Sequence, residues 1–409
     1  MPDPTVSDPT VPDPTVPDDE WLAAEADRLA LGVVASRRDD GGFGWLDSSS
    51  RLVHDAPVPT WLNARMTHVA GLEVLRGNDY VRLLDHGVLA LEGPLHDDEL
   101  GGWFTSNEPE SQAEKRAYDH CFVVLAASTA TIAGHPRGRA LLDDALAVLD
   151  QRFWDDERGL LVDVWDRRWA QLEPYRGANA NMHGVEAMLA AADATGDDRW
   201  HQRALRVAQT LVHGHARAHA WRLPEHFDEQ WQVLPDYNRD DPAHAFRPYG
   251  ATVGHWLEWS RLLLHLRHGL ADPPSWLLDD AQALFEAAVR EGWAVDGAPG
   301  FVYTVDADGT PVVRARLHWV LSEAIAAAEV LRGVAPSSGV DAHLATWWAY
   351  AREYLIDLEG GGWVHELAPD NTPAAGTWSG KPDVYHAYQA ALIGLLPSAR
   401  SLAGALRLG

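Results

Sequence analysis

The chain has 409 residues, of which 46% are hydrophobic, and a formal net charge of -27 at pH 7. This acidity argues against nucleic acid or an anionic membrane surface as a partner, because both require a basic protein face. Cys121 is the single cysteine, which excludes an intrachain disulfide and a cysteine metal cluster and favours a cytoplasmic location. No apolar stretch reaches the ~20 residues that span a bilayer, and the N-terminus lacks the basic and apolar regions of a signal peptide.

Residues 1–18 form a tail in which Pro, Asp, Thr and Val recur. The prolines forbid a helix and core-forming aromatic residues are missing, so the composition predicts a disordered segment. The pattern changes at Asp19, where acidic residues precede apolar residues at helical spacing. This change predicts a first helix that ends near Ser36.

Glycine- and aromatic-rich islands then recur at intervals of roughly 60 to 75 residues, as in repeat architectures. They are residues 41–45, 101–104, 153–160, 221–231, 293–301 and 360–363. Between them lie helical patterns at 61–77 and 80–91, 111–133 and 138–152, 181–195 and 198–214, 249–269 and 276–291, 315–333 and 341–357, and 383–396.

Strand patterns are rare, apart from a β-hairpin predicted at 300–305 and 311–314 around Asp308-Gly309. Six helical hairpins favour an all-α fold, an (α/α)6 barrel with short β-hairpins in its loops, which would make residues 19–409 one catalytic domain. An open solenoid of the same hairpins remains the structural alternative, because periodicity cannot distinguish the two.

Each island is followed, at or near the start of the next helix, by polar residues that packing does not require. If the first helix of every hairpin lines the barrel, these residues converge on one mouth. The set comprises Arg65 and His68; Tyr118, Asp119 and His120; Asn179, Asn181 and His183; His255 and Glu258; His318 and Glu323; and Tyr385 and His386.

His255 and Glu258 lie three residues apart and share one helix face after a turn that contains Pro248 and Gly250. His386 follows a proline turn in the same way. Buried polar groups of this kind must be partnered or functional. A satisfied core histidine is the structural alternative for each.

Other members of the set also have structural explanations. Arg65 and His68 could form an ordinary helix-terminal pair, and Tyr118 could be a core aromatic residue. Asn179 could cap a helix, and Glu323 could lie at the surface. A further group resembles a metal cluster but lacks a motif such as His-Glu-x-x-His, so no metal site is predicted. Its members are His213, His215, His219 and His226.

Taken together, these motifs resemble the N-acylglucosamine 2-epimerase superfamily over residues 20–397, and within it the mannose isomerase and sulfoquinovose isomerase group. The motifs are Arg-Met-Thr-His (65–68), Tyr-Asp-His (118–120), Asn-Ala-Asn-Met-His (179–183), Arg-Pro-Tyr-Gly (247–250), Gly-His-Trp-Leu-Glu-Trp (254–259), Glu-Ala (323–324) and Lys-Pro-Asp-Val-Tyr-His (381–386). The first is similar to that of the aldose-ketose isomerases, whereas 2-epimerases tend to carry an aromatic residue in place of His68.

The resemblance implies a cofactor-free and metal-free isomerase that interconverts D-mannose and D-fructose through a cis-enediol. His386 would transfer the proton between C1 and C2, and His255 would open the ring or make the opposing transfer. Glu258 would orient His255, and Arg65 would bind the developing enediolate charge. The residues that would bind substrate are His183, Asn179, Tyr118, Arg247, Glu323 and His68.

Rival interpretations remain open at this point. A sugar 2-epimerase or a sulfoquinovose isomerase could use the same scaffold. A glycoside hydrolase would need two acids that face the mouth, and Glu258 with Glu323 is the pair available. A helical-repeat binding protein is the non-catalytic alternative, and the oligomeric state could be monomer or homodimer.

Overall fold

The computed structural model describes residues 15–408. Most of the predicted tail, residues 1–14, lies outside the described part of the chain. Within the last four residues assigned to that tail, Val16 packs against the core and Pro17 is buried. Asp18 caps the first helix, because its side chain accepts a hydrogen bond of 2.9 Å from the backbone N–H of Trp21.

Thirteen α-helices occupy residues 15–408. In chain order they are α1 (Asp19–Ala35), α2 (Thr60–Leu75), α3 (Val81–Glu92), α4 (Ala117–Ile132), α5 (Gly138–Val148), α6 (Ala178–Thr195), α7 (Asp198–Ala208), α8 (Val253–His268), α9 (Trp276–Gly292), α10 (His318–Val334), α11 (Ser338–Tyr350), α12 (Tyr385–Ile393) and α13 (Leu402–Leu408). Wider π-helical turns extend α5, α7 and α11, over Leu149–Phe153, Gln209–Ala216 and Ala351–Leu355.

The even-numbered helices α2 to α12 form a closed inner ring. Each contacts the next, and α12 returns to contact α2. Each inner helix packs against one outer helix, and the sixth pair joins the two ends of the chain, because α1 packs on α12. Ring closure confirms the predicted (α/α)6 barrel and excludes the open solenoid.

The inner and outer helices differ in sequence as their positions require. Residues 121–130 of α4 are all buried, as expected for a helix enclosed on every side. In the outer helix α3, the buried residues Leu84, Val88 and Leu91 recur at intervals of three and four, which gives one apolar stripe. The inner ring therefore forms the centre of the core, and the outer ring shields it from water.

Five two-stranded antiparallel sheets tie the loops together at the ends of the inner helices. They are β1 (Glu114–Arg116) with β4 (Val164–Asp166), β2 (Trp154–Asp155) with β3 (Leu160–Leu161), β5 (Arg176–Gly177) with β6 (His226–Phe227), β7 (Ala251–Thr252) with β8 (Thr304–Val305), and β9 (Arg316–Leu317) with β10 (Glu366–Leu367). Strands β1, β5, β7 and β9 lead directly into α4, α6, α8 and α10. Pairing with a loop of a later repeat therefore fixes where each of these inner helices begins.

Two local predictions differ in detail from the structure. The helix predicted at 111–133 begins only at Ala117, because residues 114–116 pair as a strand with 164–166. The predicted hairpin at 300–305 and 311–314 survives as a bridge between Val305 and Pro311, while Thr304 and Val305 also pair with β7.

The opposite end of the barrel is covered by α13, which contacts α2, α4 and α6. Within residues 15–408, no helix has the length and apolar character required to cross a membrane.

Candidate active site

The inner helices begin around one pocket, which measures about 720 Å³ including its open mouth. Many of the polar residues predicted to converge there do line it. They are Arg65, Tyr118, Asn179, His183, His255, Glu258, His318 and His386. They come from all six inner helices, so the expectation of one shared mouth holds for these side chains.

His255 has a carboxylate partner that the sequence analysis did not identify. Its Nδ1 atom lies 2.9 Å from Oε1 of Glu225, which is buried in the loop just before β6. Glu225 also accepts a hydrogen bond of 3.3 Å from the backbone N–H of Thr252, the residue before α8. The loop carboxylate therefore holds both the helix start and the imidazole ring.

The predicted pairing of Glu258 with His255 is wrong. Glu258 lies nearly one helical turn deeper in the barrel, because three residues along a helix correspond to about 4.5 Å. There its Oε1 atom is 3.6 Å from Nδ1 of His183 and 3.5 Å from the guanidinium of Arg261.

His386 is oriented by Glu323. The Nδ1 atom of His386 is 2.8 Å from Oε1 of Glu323, whose other oxygen accepts a hydrogen bond of 3.0 Å from Nε of Arg261. Glu323 therefore stands behind the histidine and does not line the pocket, so its predicted contact with substrate is not supported. Burial, with the nearby charge of Arg65, lowers the pKa of His386 well below its ordinary value. The ring is thus neutral and can act as a base.

Trp319 lies beside both histidines. Its ring centroid is 5.3 Å from that of His255 and 5.7 Å from that of His386, and it lines the same pocket. The two histidines therefore share one pocket and one neighbouring indole ring. Sequence reasoning missed this residue, because one tryptophan among nineteen carries no distinguishing signal.

Arg65 is held at the pocket by two polar partners. Its guanidinium donates to Oδ2 of Asp383 at 3.1 Å and to the hydroxyl of Tyr118 at 3.0 Å. Its charge also lies 4.4 Å from the ring centroid of Phe122, within cation–π range. Burial opposes ionisation of Asp383, yet Arg65 beside it holds the pKa of that carboxyl below its ordinary value. The sequence motif at residues 381–386 contains Asp383 but does not by itself predict this pairing with Arg65.

Three glutamates and one arginine form a buried charge network beneath the pocket. Arg261 approaches Glu186 at 3.7 Å, Glu258 at 3.5 Å and Glu323 at 3.0 Å. The hydroxyl of Tyr385 donates to Glu186. Burial, together with the carboxylate of Glu323, raises the pKa of Glu258 well above its ordinary value. One guanidinium cannot neutralise three carboxylates, so Glu258 holds a proton near neutral pH.

Two residues predicted to bind substrate lie away from the pocket. His68 lies deeper in α2, with Nδ1 2.7 Å from the hydroxyl of Thr129, and burial lowers the pKa of His68 to about 4. Arg247 makes a two-pronged ion pair with Glu173 at 2.9 and 2.8 Å and lies 3.9 Å over the ring of Tyr175. Neither lines the pocket, because each is already engaged by groups of the fold.

Two residues predicted at the mouth, Asn181 and His120, instead connect the glycine- and aromatic-rich islands to the inner helices. The amide of Asn181 accepts from the backbone N–H of Leu161 at 2.7 Å and donates to its carbonyl at 3.0 Å. Nε2 of His120 accepts the backbone N–H of Trp103 at 3.1 Å. These polar residues recur at the same phase because each anchors an island to the barrel.

The pocket also has an aromatic wall at its mouth. The ring of Phe246 lies 5.3 Å from Trp378 and 6.3 Å from Trp61. On another side His318 stacks on His365 with centroids 3.7 Å apart, and both line the pocket. Of these residues, His318 alone had been singled out from the sequence.

The histidines that resembled a metal cluster do not form one in the described residues. His213 pairs with Asp280 at 2.8 Å, whereas both ring nitrogens of His226 are engaged, by Tyr175 and by the carbonyl of Pro248. Within residues 15–408, ligand-forming side chains converge instead beneath the pocket, in two groups that share Glu258.

Comparison with known proteins agrees with the motifs. The family described as N-acylglucosamine 2-epimerase (GlcNAc 2-epimerase) matches residues 41–390. The chain belongs to this family. It is 55% identical to a D-mannose isomerase of Thermobifida fusca, over 94% of this chain and 96% of that protein. It is 48% identical to a D-mannose isomerase of Pseudomonas cannabina pv. alisalensis, over 95% of each.

Solved structures of the family share the fold. A crystal structure of a D-mannose isomerase matches with a TM-score of 0.85 at 27% identity and covers 92% of this chain and 98% of that one. A cellobiose 2-epimerase from Spirochaeta thermophila DSM 6192 matches with a TM-score of 0.79 at 21% identity, over 92% and 95% of the two chains. The resemblance inferred from the motifs is therefore confirmed at the level of family and architecture.

Proposed function

We propose that this chain is an aldose-ketose isomerase that interconverts D-mannose and D-fructose. The observation that carries the proposal is that His255, bonded to Glu225, and His386, bonded to Glu323, line one pocket together with Trp319. An imidazole can accept a proton when it is neutral and donate one when it is protonated, so two histidines around one sugar can catalyse proton transfer to and from it near neutral pH. Similarity to relatives named D-mannose isomerase supports the choice of sugar.

His386 is the base at C2 in this proposal. Its Nδ1–H donates to Glu323, which leaves Nε2 as the proton acceptor. Removing the C2 proton of the open-chain aldose gives a cis-enediol, and returning that proton to C1 gives the ketose. His255 supplies and removes the protons of ring opening on the other side, with Glu225 stabilising its charged form.

Arg65 stabilises the negative charge that develops on O1 and O2 during proton transfer. Asp383 and Tyr118 fix the orientation of its guanidinium, so the charge is in place before the reaction begins. His183 and Asn179, which line the same pocket, are placed to hold sugar hydroxyls. Glu258, which also lines the pocket, provides a protonated carboxyl.

The charge of the pocket favours a neutral sugar over a sulfonated one. Among the described residues that line it, Arg65 is the single lysine or arginine, and Asp383 already balances its charge. These lining residues therefore offer no unpaired cation that could bind a sulfonate group at C6 of the sugar. Glycoside hydrolysis is disfavoured too, because Glu323 lies behind His386 and does not face the pocket with Glu258.

Proton NMR of the purified chain in D₂O tests the proposal. D-mannose should give D-fructose, with deuterium at C1 only to the extent that His386 exchanges the transferred proton with solvent, and sulfoquinovose and cellobiose should react far more slowly. His386→Ala and His255→Ala should each lose about 10²- to 10⁴-fold in rate, whereas His219→Ala on the exposed surface should not. D-glucose as the first product would instead identify an epimerase.

We also propose that the enzyme is cytoplasmic. The one cysteine of the chain, Cys121, is buried and reduced, which fits a reducing compartment.

A further inference from the structure

The charge network beneath the pocket contains three side chains arranged as metal ligands. Nδ1 of His183 lies 3.7 Å from Oε2 of Glu186 and 3.6 Å from Oε1 of Glu258. Ligand atoms bound to Zn²⁺ at about 2.0–2.2 Å in a tetrahedron lie about 3.3–3.6 Å from one another. These two separations are close to those that one zinc ion requires, and all three donor atoms lie within 4.8 Å of one another.

All three donors are buried, and two of them are unpartnered in the described part of the chain, whereas Oε2 of Glu186 accepts from the hydroxyl of Tyr385 and would bind the ion through its remaining lone pair. His183 is 4% exposed, Glu186 8% and Glu258 0%. Among the residues that the structure describes, Nδ1 of His183 and both oxygens of Glu258 have no hydrogen-bond partner. Buried polar atoms without a partner are costly, so a ligand that satisfies all three would be favoured.

The charge balance also favours a cation. With Glu258 protonated, Glu186, Glu323 and Arg261 leave one excess negative charge, and displacement of that proton by a metal ion would leave two. A divalent ion supplies that deficit. The alternative group, Glu258 with Glu323 and His386, shares this charge but is already satisfied internally, because Nδ1 of His386 is bonded to Glu323.

We propose that His183, Glu186 and Glu258 bind one Zn²⁺ ion and that zinc bound there inhibits the enzyme. Imidazole with two carboxylates is a donor set that suits zinc, whereas Mg²⁺ prefers six oxygen ligands. Two of the ligands, His183 and Glu258, line the pocket, which gives the ion a route of entry and leaves its fourth position open towards the sugar. Inhibition follows because the ion occupies groups that substrate needs. Inhibition rests on the proposed function, whereas binding of the ion does not.

Calorimetric titration of the EDTA-treated full chain with ZnCl₂ tests the binding. We expect one zinc ion per chain, no comparable binding of Mg²⁺, and weaker zinc binding in the presence of saturating D-mannose. Glu186→Gln, which alters a ligand outside the pocket lining, should weaken zinc binding by at least about 10-fold, since even outer-shell changes at zinc sites cost about 10- to 100-fold. His219→Gln, at an exposed histidine, is the matched control and should bind zinc as the wild type does.

Glu258→Gln provides a second ligand variant should Glu186→Gln fail to fold, and binding is measured there without activity. The site is refuted if wild-type protein binds no zinc, or if a folded ligand variant binds zinc as tightly as the wild type does. Zinc that binds while isomerase activity stays unchanged refutes the inhibition alone. Zinc that binds as expected to a chain inactive on D-mannose refutes the proposed function but leaves the metal site standing.

Discussion

Replacing Glu225 by Gln tests the most specific correction that the structure makes to the sequence-based mechanism. The substitution keeps the shape of the side chain but removes the negative charge 2.9 Å from Nδ1 of His255. Both groups are buried, so water does not compensate for the loss. A hydrogen bond to a charged group is worth about 1.5–3 kcal/mol. Because that stabilisation grows as His255 takes up a proton, kcat should fall by about 10- to 150-fold at about 1.4 kcal/mol per factor of ten.

Steady-state kinetics with D-mannose measure this effect, with D-fructose formation as the readout. KM should change by less than about threefold, because Glu225 does not line the pocket and the loss is confined to the transition state. Glu173→Gln is the matched control. It removes a carboxylate that pairs with Arg247 in the neighbouring loops without touching His255. A wild-type kcat in Glu225→Gln, with unchanged pH dependence, would refute the assignment and reopen the case for Glu258.

Three further outcomes are expected. Glu323→Gln should lower kcat more than it raises KM, because Glu323 orients His386 and does not face the sugar; D-mannose kinetics check this. His68→Asn should leave KM for D-mannose within about twofold, because His68 bonds to Thr129 below the pocket, and a large rise in KM would contradict this placement. Burial raises the pKa of Asp119 from 3.8 to about 7, so ionisation opposes folding above pH 4 and the penalty grows through pH 7. Asp119→Asn should therefore raise the free energy of unfolding by up to about 4 kcal/mol at pH 8, and by little at pH 4, in urea titrations.

The spacing of polar residues along the inner helices allowed us to predict which side chains face the barrel axis. It did not allow us to predict which of those side chains reach the pocket. Arg65 and His255 line the pocket because each lies in the first part of an inner helix that faces the axis. His68 shares the face of Arg65 but lies three residues, or about 4.5 Å, further along α2. Glu323 lies no deeper in α10 than Arg65 does in α2, but its carboxylate bonds to the back of His386 and does not line the pocket. A periodic pattern identifies the inward face, but it does not report where the pocket floor lies. Both residues were therefore assigned to substrate although they stand beneath or behind its space.

Glu225 could not be found from the same pattern. It lies in a loop 30 residues before His255 in the chain, and its position depends on the pairing of β5 with β6. Two-residue strands of this kind leave almost no periodic signal. Arg247 shows the converse limit, since it belongs to a family motif but is held by Glu173 outside the pocket. A motif identifies a loop, whereas the ion pair decides where its side chain points.

The different partners of the two histidines explain why their roles should differ. Glu323 shares its charge with Arg261 at 3.0 Å, so His386 faces a carboxylate that is already partly neutralised. Glu225 accepts only a backbone N–H besides His255, and no such cation pairs with it among the described residues. A carboxylate without a competing cation interacts more strongly with positive charge that develops on its imidazole, so Glu225 should assist proton transfer through His255 more than Glu323 assists it through His386. This asymmetry supports the proposal that the two histidines divide the work, with His386 as the base at C2 and His255 exchanging the protons of ring opening.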